Sequence, residues 1–191
     1  MKKKYLIITF IILSILLISC SKKQNETNNF DMQIIEENIL TELIFEDPIT
    51  GFQIKYEENW IKNENFLGST VIFLTLDEVN NEKIQSNLNI YVQDISKENI
   101  SFEDYIENSI NELNDFIENF NIIESEKIIR DEFKKHKLIF TGNLADYNFK
   151  WKQVWIYEEN LVYILTYTTT ENLYDRHIET IKKMINSFKT K

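Results

Sequence analysis

Cysteine is nearly absent from this 191-residue chain, with Cys20 the single example. One thiol cannot close an intramolecular disulfide or build a multi-cysteine zinc site. Proline occurs once, as Pro48, and glycine three times, at Gly51, Gly68 and Gly142. Three scattered glycines supply neither a phosphate-cradling loop nor a Gly-x-Ser-x-Gly nucleophile turn. The two histidines, His136 and His177, form no His-x-x-x-His or His-x-Glu pair of the kind that places metal ligands on one helix face. Basic side chains are also scarce: 21 Lys and Arg stand against 31 Asp and Glu, a net charge of −10. A surface of that sign is repelled by phosphate backbones, so nucleic acid is not an expected partner. Carboxylate pairs abound, but among 31 acids adjacency says little about general acid–base work. No catalytic residue, metal or cofactor is expected, and the chain does not read as an enzyme.

What is present begins at the N-terminus. Lys2, Lys3 and Lys4 precede an uncharged apolar run from Tyr5 to Ser19, the basic and hydrophobic regions of an export signal. Fifteen residues is short for a spanning helix, which needs about 20; an uncleaved, tilted anchor helix is the alternative. Leu17-Ile18-Ser19-Cys20 closes the run and resembles the bacterial lipobox, in which the cysteine is acylated and becomes the first mature residue. Each buried acyl methylene strengthens membrane attachment by about 0.8 kcal/mol, and durable anchoring takes more than one chain. The expected partition is a lipoprotein signal over residues 1–19, a lipidated Cys20 with a tether over 20–42, and one domain over 43–191. The expected address is the cell envelope, on the extracytoplasmic side of a membrane held through Cys20. Loss of the three signal lysines leaves 18 basic against 31 acidic side chains, a net of −13. That charge either only solubilises the domain or recognises a basic partner or cations.

The segment Ser21–Asp31 is polar and aperiodic, a coil of about 20 Å. Ile35, Ile39 and Leu43 then recur at helical spacing and suggest a short arm. Pro48 and Gly51 sit between Leu43–Glu46 and Phe52–Tyr56 and predict a hairpin. Further strands are predicted at 71–76 and 88–94; the acidic loop 77–83 between them lacks the glycine and ligand spacing of a calcium loop. Ser101 is placed to cap a helix whose apolar positions, from Phe102 to Phe120, fall on one face. Strands are predicted again at 125–133, 137–142, 151–157 and 161–169, with Glu158-Glu159-Asn160 joining the last two. In 161–169 both sides are bulky, a pattern that calls for cover on both faces. A second helix is predicted from about 171 to 188. Two helices and six or seven hairpin-joined strands describe an α+β layered domain. His136, among Lys134, Lys135 and Lys137, reads as an exposed turn residue, and His177, next to Ile178, as a residue bordering the core.

The order of these pieces resembles the PsbP/Mog1-like family, which includes the photosystem II extrinsic protein PsbP and bacterial envelope proteins of the DcrB type. The residues that carry the resemblance are Gly51-Phe52-Gln53-Ile54-Lys55-Tyr56 followed by Trp60, the helix at Ser101–Phe120, the Trp155–Tyr167 hairpin and the ending Ile181-x-x-x-Ile185-Asn186-Ser187-Phe188. The resemblance implies an antiparallel sheet of about six strands covered by helices on both faces, an α/β/α sandwich. It also implies a binding or assembly module without a catalytic motif, and no metal ligands of the family can be placed on this chain. Two functions follow. The first is a tethered module that binds an unidentified envelope protein through a sheet edge or through the regions of Trp60, Trp151 and Trp155. The second is a carrier of a small apolar ligand held between sheet and helix.

Overall fold

Five residues turn the chain back on itself at the start of the fold. The computed structural model describes residues 41–76, 84–130 and 133–191, and Asp47 anchors its first turn. The carboxylate of this nearly buried Asp47 accepts hydrogen bonds from the Thr50 amide (2.6 Å) and hydroxyl (2.7 Å), while Gly51, at φ +74°, closes the turn by donating to the Asp47 carbonyl. Strands β1 (Glu42–Glu46) and β2 (Gln53–Glu57) therefore pair antiparallel in a two-stranded sheet, with Phe45 opposite Ile54. The predicted hairpin is present.

The main sheet holds seven strands: β3 (Trp60–Glu64), β4 (Val71–Thr75), β5 (Asn87–Asp94), β6 (Glu118–Arg130), β7 (Phe133–Leu144), β8 (Tyr147–Glu158) and β9 (Leu161–Thr170). Their order is β3-β4-β5-β9-β8-β7-β6, and every neighbouring pair is antiparallel. Helix α1 (Phe102–Phe116) links β5 to β6, and α2 (Tyr174–Ser187) follows β9 through a 3-10 turn at Glu171–Leu173. The α+β class stands, and the main sheet has seven strands where about six are expected.

Strand pleating divides the core in two. On β8 and β9, Val154, Ile156, Tyr163, Leu165 and Tyr167 join one cluster, which also contains the hairpin and Ile181, Met184 and Ile185 of α2. Their sequence neighbours Trp151, Trp155, Val162 and Ile164 join another, with Phe102, Tyr105, Ile106 and Leu113 of α1. The C-terminal segment ties α2 to the hairpin: Gln53 and Lys189 exchange backbone hydrogen bonds of 2.8 and 2.9 Å, and the Lys55 amide donates to Ser187 Oγ.

Three boundaries differ from the sequence reading. The first helix stops at Phe116, short of Phe120: the Ile117 amide makes the last helical bond, to the Leu113 carbonyl, but its backbone is already extended (ψ 120°), and Asn119 at φ +53° turns the chain into β6. Ile117 and Phe120 keep helical spacing by coincidence while packing from a strand entrance. Second, β6 starts seven residues before the predicted 125 and ends at Arg130 rather than 133, while β7 extends beyond the predicted 137–142 at both ends. Third, β8 begins at Tyr147, four residues before Trp151. The Glu159-Asn160 turn has both residues at positive φ, which suits a two-residue hairpin.

Candidate binding groove

Helix α1 positions one side of the groove. Ser101 Oγ accepts from the Asp104 amide at 3.0 Å, a cap that stabilises a helix by about 1 kcal/mol. The first turns then aim Phe102 and Ile106 inward, with Ile110 half-buried behind them. Together with Lys127 of β6 and His136 of β7 they line a cavity of about 260 Å³, with Glu107 on its rim. Glu103 spans the opening: one oxygen lies 3.1 Å from Lys127 Nζ and the other 3.9 Å from Lys134 Nζ. Hydrogen bonds from its own helix-start amide and from the Lys127 ammonium hold the Glu103 carboxyl below the usual carboxylate range.

His136 forms the polar end of the floor. Its Nε2 lies 3.0 Å from Ser125 Oγ, and its ring packs edge-on against Trp155, 5.7 Å between centroids. Burial, with Lys127 nearby, lowers its pKa, so the imidazole is neutral at pH 7. The arrangement offers an apolar floor with hydrogen-bonding groups at its margins, which suits binding. Among the described residues no group of three or more His, Cys, Asp or Glu side chains is placed to hold a metal ion. A second hollow, about 200 Å³, lies between Lys135 and Ile156 on one side and Ile185, Phe188 and Lys189 on the other.

The structure corrects several sequence expectations. Trp60 is 6% exposed, and Trp151 and Trp155 are 0% exposed. These indoles are core and offer no contact surface; Trp151 and Trp155 sit on a central strand beneath α1, while Trp60 packs edge-on against His177 at 5.8 Å. His136 is no exposed turn residue: it stands inside β7 at 8% exposure. It lies between lysines because alternate residues face opposite sides, Lys135 and Lys137 away from α1 and His136 toward it. Cys20, the signal, the tether and arm up to residue 40 and the acidic loop 77–83 lie outside the described residues; Leu43, the last of the arm's spaced residues, and Glu42, the last of the expected tether, stand in strand β1. Glu103, Ser125, Lys127 and Ile110 escaped the sequence reading. The one available signal was the breadth of the α1 stripe, which exceeds what the sheet covers.

No protein-family model matches the chain, and no curated protein matches it. Solved structures do. The cyanobacterial PsbP protein of Synechocystis sp. PCC 6803 aligns with a TM-score of 0.60 at 15% identity, over 84% of this chain and 98% of its own. LpqN of Mycobacterium tuberculosis, described as involved in cell envelope biogenesis, aligns with a TM-score of 0.59 at 10% identity, over 82% and 95%. PA94 of Pseudomonas aeruginosa, a protein of unknown function described as a putative regulator, aligns with a TM-score of 0.55 at 16% identity, over 78% and 97%. At these identities the likeness concerns the fold, which is PsbP-like.

Proposed function

We propose that this chain of PsbP-like fold is a lipid-anchored envelope protein that acts as a non-catalytic binding or assembly module. The observation that carries the reading is Leu17-Ile18-Ser19-Cys20 at the end of an uncharged run behind three lysines. LpqN, of like fold, is described by its part in envelope biogenesis, which agrees with that address. Among the described residues no helix is long and apolar enough to cross a membrane; in this reading attachment is through acyl chains on Cys20. In this reading α1 and α2 cover opposite faces of the sheet as an α/β/α sandwich, a layering supported by the alternation of Trp155 and Ile164 with Val154 and Leu165 between two clusters. The sandwich leaves a strand edge and the α1 groove for a partner.

Cell fractionation with Cys20→Ala tests the anchor. Release of the variant into the soluble fraction is the expected result, and a fully membrane-bound variant overturns lipidation in favour of an uncleaved helix. Crosslinking in cells then tests the module, with capture of a discrete envelope protein expected. A second reading, carriage of a small apolar ligand, draws on the apolar floor of Phe102, Ile106 and Ile110. Native mass spectrometry distinguishes it: a stoichiometric lipid-like adduct would favour the carrier.

A further inference from the structure

The groove beside α1 borders an open strand. In the seven-stranded sheet β6 pairs with β7 on one side, and among the described residues no strand pairs with the other. β6 is 13 residues long, about twice an average strand, and its side chains from Asn121 to Lys127 are exposed. Ile122 and Ile123 are 43% and 51% exposed. Such an edge presents backbone N–H and C=O groups that a second extended chain can take up. Edges are often blunted by bulges, and β6 has register shifts only between Glu118 and Glu124. From Glu124 to Arg130 it pairs with β7 one residue to one, and this regular half contains Lys127, which lines the groove. A strand added outside it would direct every second side chain toward α1.

Charge selects the occupant. From Phe102 to Arg130 the chain carries eight acidic side chains and two basic ones, a net of −6 within a total of −10. On the α1 side Lys127 is held by Glu103, while on the opposite face of β6 two exposed carboxylates, Glu124 and Glu126, share Lys137. Two copies meeting edge to edge at β6 would bring Glu124 and Glu126 of each together, which disfavours a second copy as the occupant.

We infer that an extended partner segment, alternating apolar and basic residues, adds as an eighth strand to the edge of β6, its apolar side chains entering the groove along α1 and its cations, on the opposite face, meeting Glu124 and Glu126. This rests on the binding-module reading and names the class of partner for it.

The test uses the full chain and two acetylated, amidated heptapeptides, Lys-Val-Lys-Ile-Lys-Val-Lys and its counterpart with Glu at every Lys. Amide hydrogen exchange reads the site, and fluorescence anisotropy of labelled peptide reads affinity. The Lys peptide is expected to slow exchange at alternate amides between Glu124 and Arg130, and to bind at least about tenfold more tightly than the Glu peptide. Glu126→Lys, a change at an exposed position, should weaken the Lys peptide roughly threefold to tenfold and leave the fold intact. Unchanged β6 exchange at saturating Lys peptide, or equal binding of both peptides, overturns the proposal. So does β6 protection that grows with protein concentration in the absence of peptide, which would assign the edge to a second copy. Were cellular crosslinks to a partner to map to the α2 side while the peptide left β6 untouched, the module would stand and strand addition would fall.

Discussion

Ile117 rests directly on Gly142: a Cβ built on that glycine would overlap Ile117 Cγ2 and lie 3.0 Å from the Glu118 carbonyl oxygen. The contact clamps the exit of α1 onto β7 and fixes where β6 begins. Gly142→Ala should therefore destabilise the fold by about 1–3 kcal/mol through overpacking. Urea denaturation of Gly142→Ala, of Ile117→Ala and of the double variant checks the relationship. Each single change costs stability, and the double variant should be more stable than the summed losses allow, because the new methyl enters the space the isoleucine vacates.

Tyr105 of α1 donates its hydroxyl to Gln93 Oε1 of β5 at 2.8 Å, a buried hydrogen bond between helix and sheet. Tyr105→Phe leaves that acceptor unpaired and should cost about 1–3 kcal/mol. Gln93→Leu in the same background should recover part of the loss, since replacing both partners removes the unsatisfied group. Burial also pushes the Tyr105 hydroxyl far above its ordinary range and that of Tyr174 up to about 12. With folded values above unfolded ones, the neutral phenols stabilise the fold up to about pH 10, and the contribution is lost as pH rises toward 12 and beyond. Far-ultraviolet circular dichroism and phenolate absorbance should change together in that alkaline window.

His136 supplies a switch at the opposite end of the scale. Burial lowers its folded pKa below 6.5, and Lys127 adds to the effect. The charged groups around it are Lys127 on β6, Lys134 on β7 and Glu103 on α1. A depressed folded value means that its contribution is present above 6.5 and lost as pH falls through the folded pKa. Urea midpoints measured at pH 7 and at about pH 5.5 should fall for the wild type and fall less for His136→Gln, since the ordinary carboxylate range lies lower still.

The hairpin at Asp47–Gly51 and the start of α1 at Ser101 were legible because turn and cap chemistry is local: Asp47 and Ser101 bond to amides three residues ahead. The strands at β6 and β7 were legible only in part, because Lys134–His136 looks like a solvated turn until β8 is beside it; Lys135 then faces one side opposite Ile156 and His136 the other opposite Trp155. The groove was illegible for the same reason. Its walls come from α1, β6 and β7, and helical periodicity cannot distinguish Ile110, left half-buried at a sheet margin, from the fully covered Leu113. Aromatic residues misled in the other direction, since Trp151 and Trp155 earn burial from the strand they occupy rather than from anything in their neighbours.

Lys152 provides a sharp test of how the α2 side is balanced. It is 8% exposed on β8, opposite Ile139 on one flank and Tyr167 on the other. Burial holds its ammonium below the ordinary lysine range, Lys137 and Lys182 press the same way, and Glu124 offsets only part. Lys137 is itself bonded to Glu124 and Glu126, so those carboxylates are shared. The stem of Lys152 packs while its charge is carried at a cost. Lys152→Met keeps the stem and removes the charge, and should stabilise the protein by about 1 kcal/mol; Lys152→Ala discards both and should destabilise it. Thermal and urea denaturation of the two variants decides the matter. If Met and Ala destabilise alike, the ammonium is satisfied where it stands and the charge is not the cost.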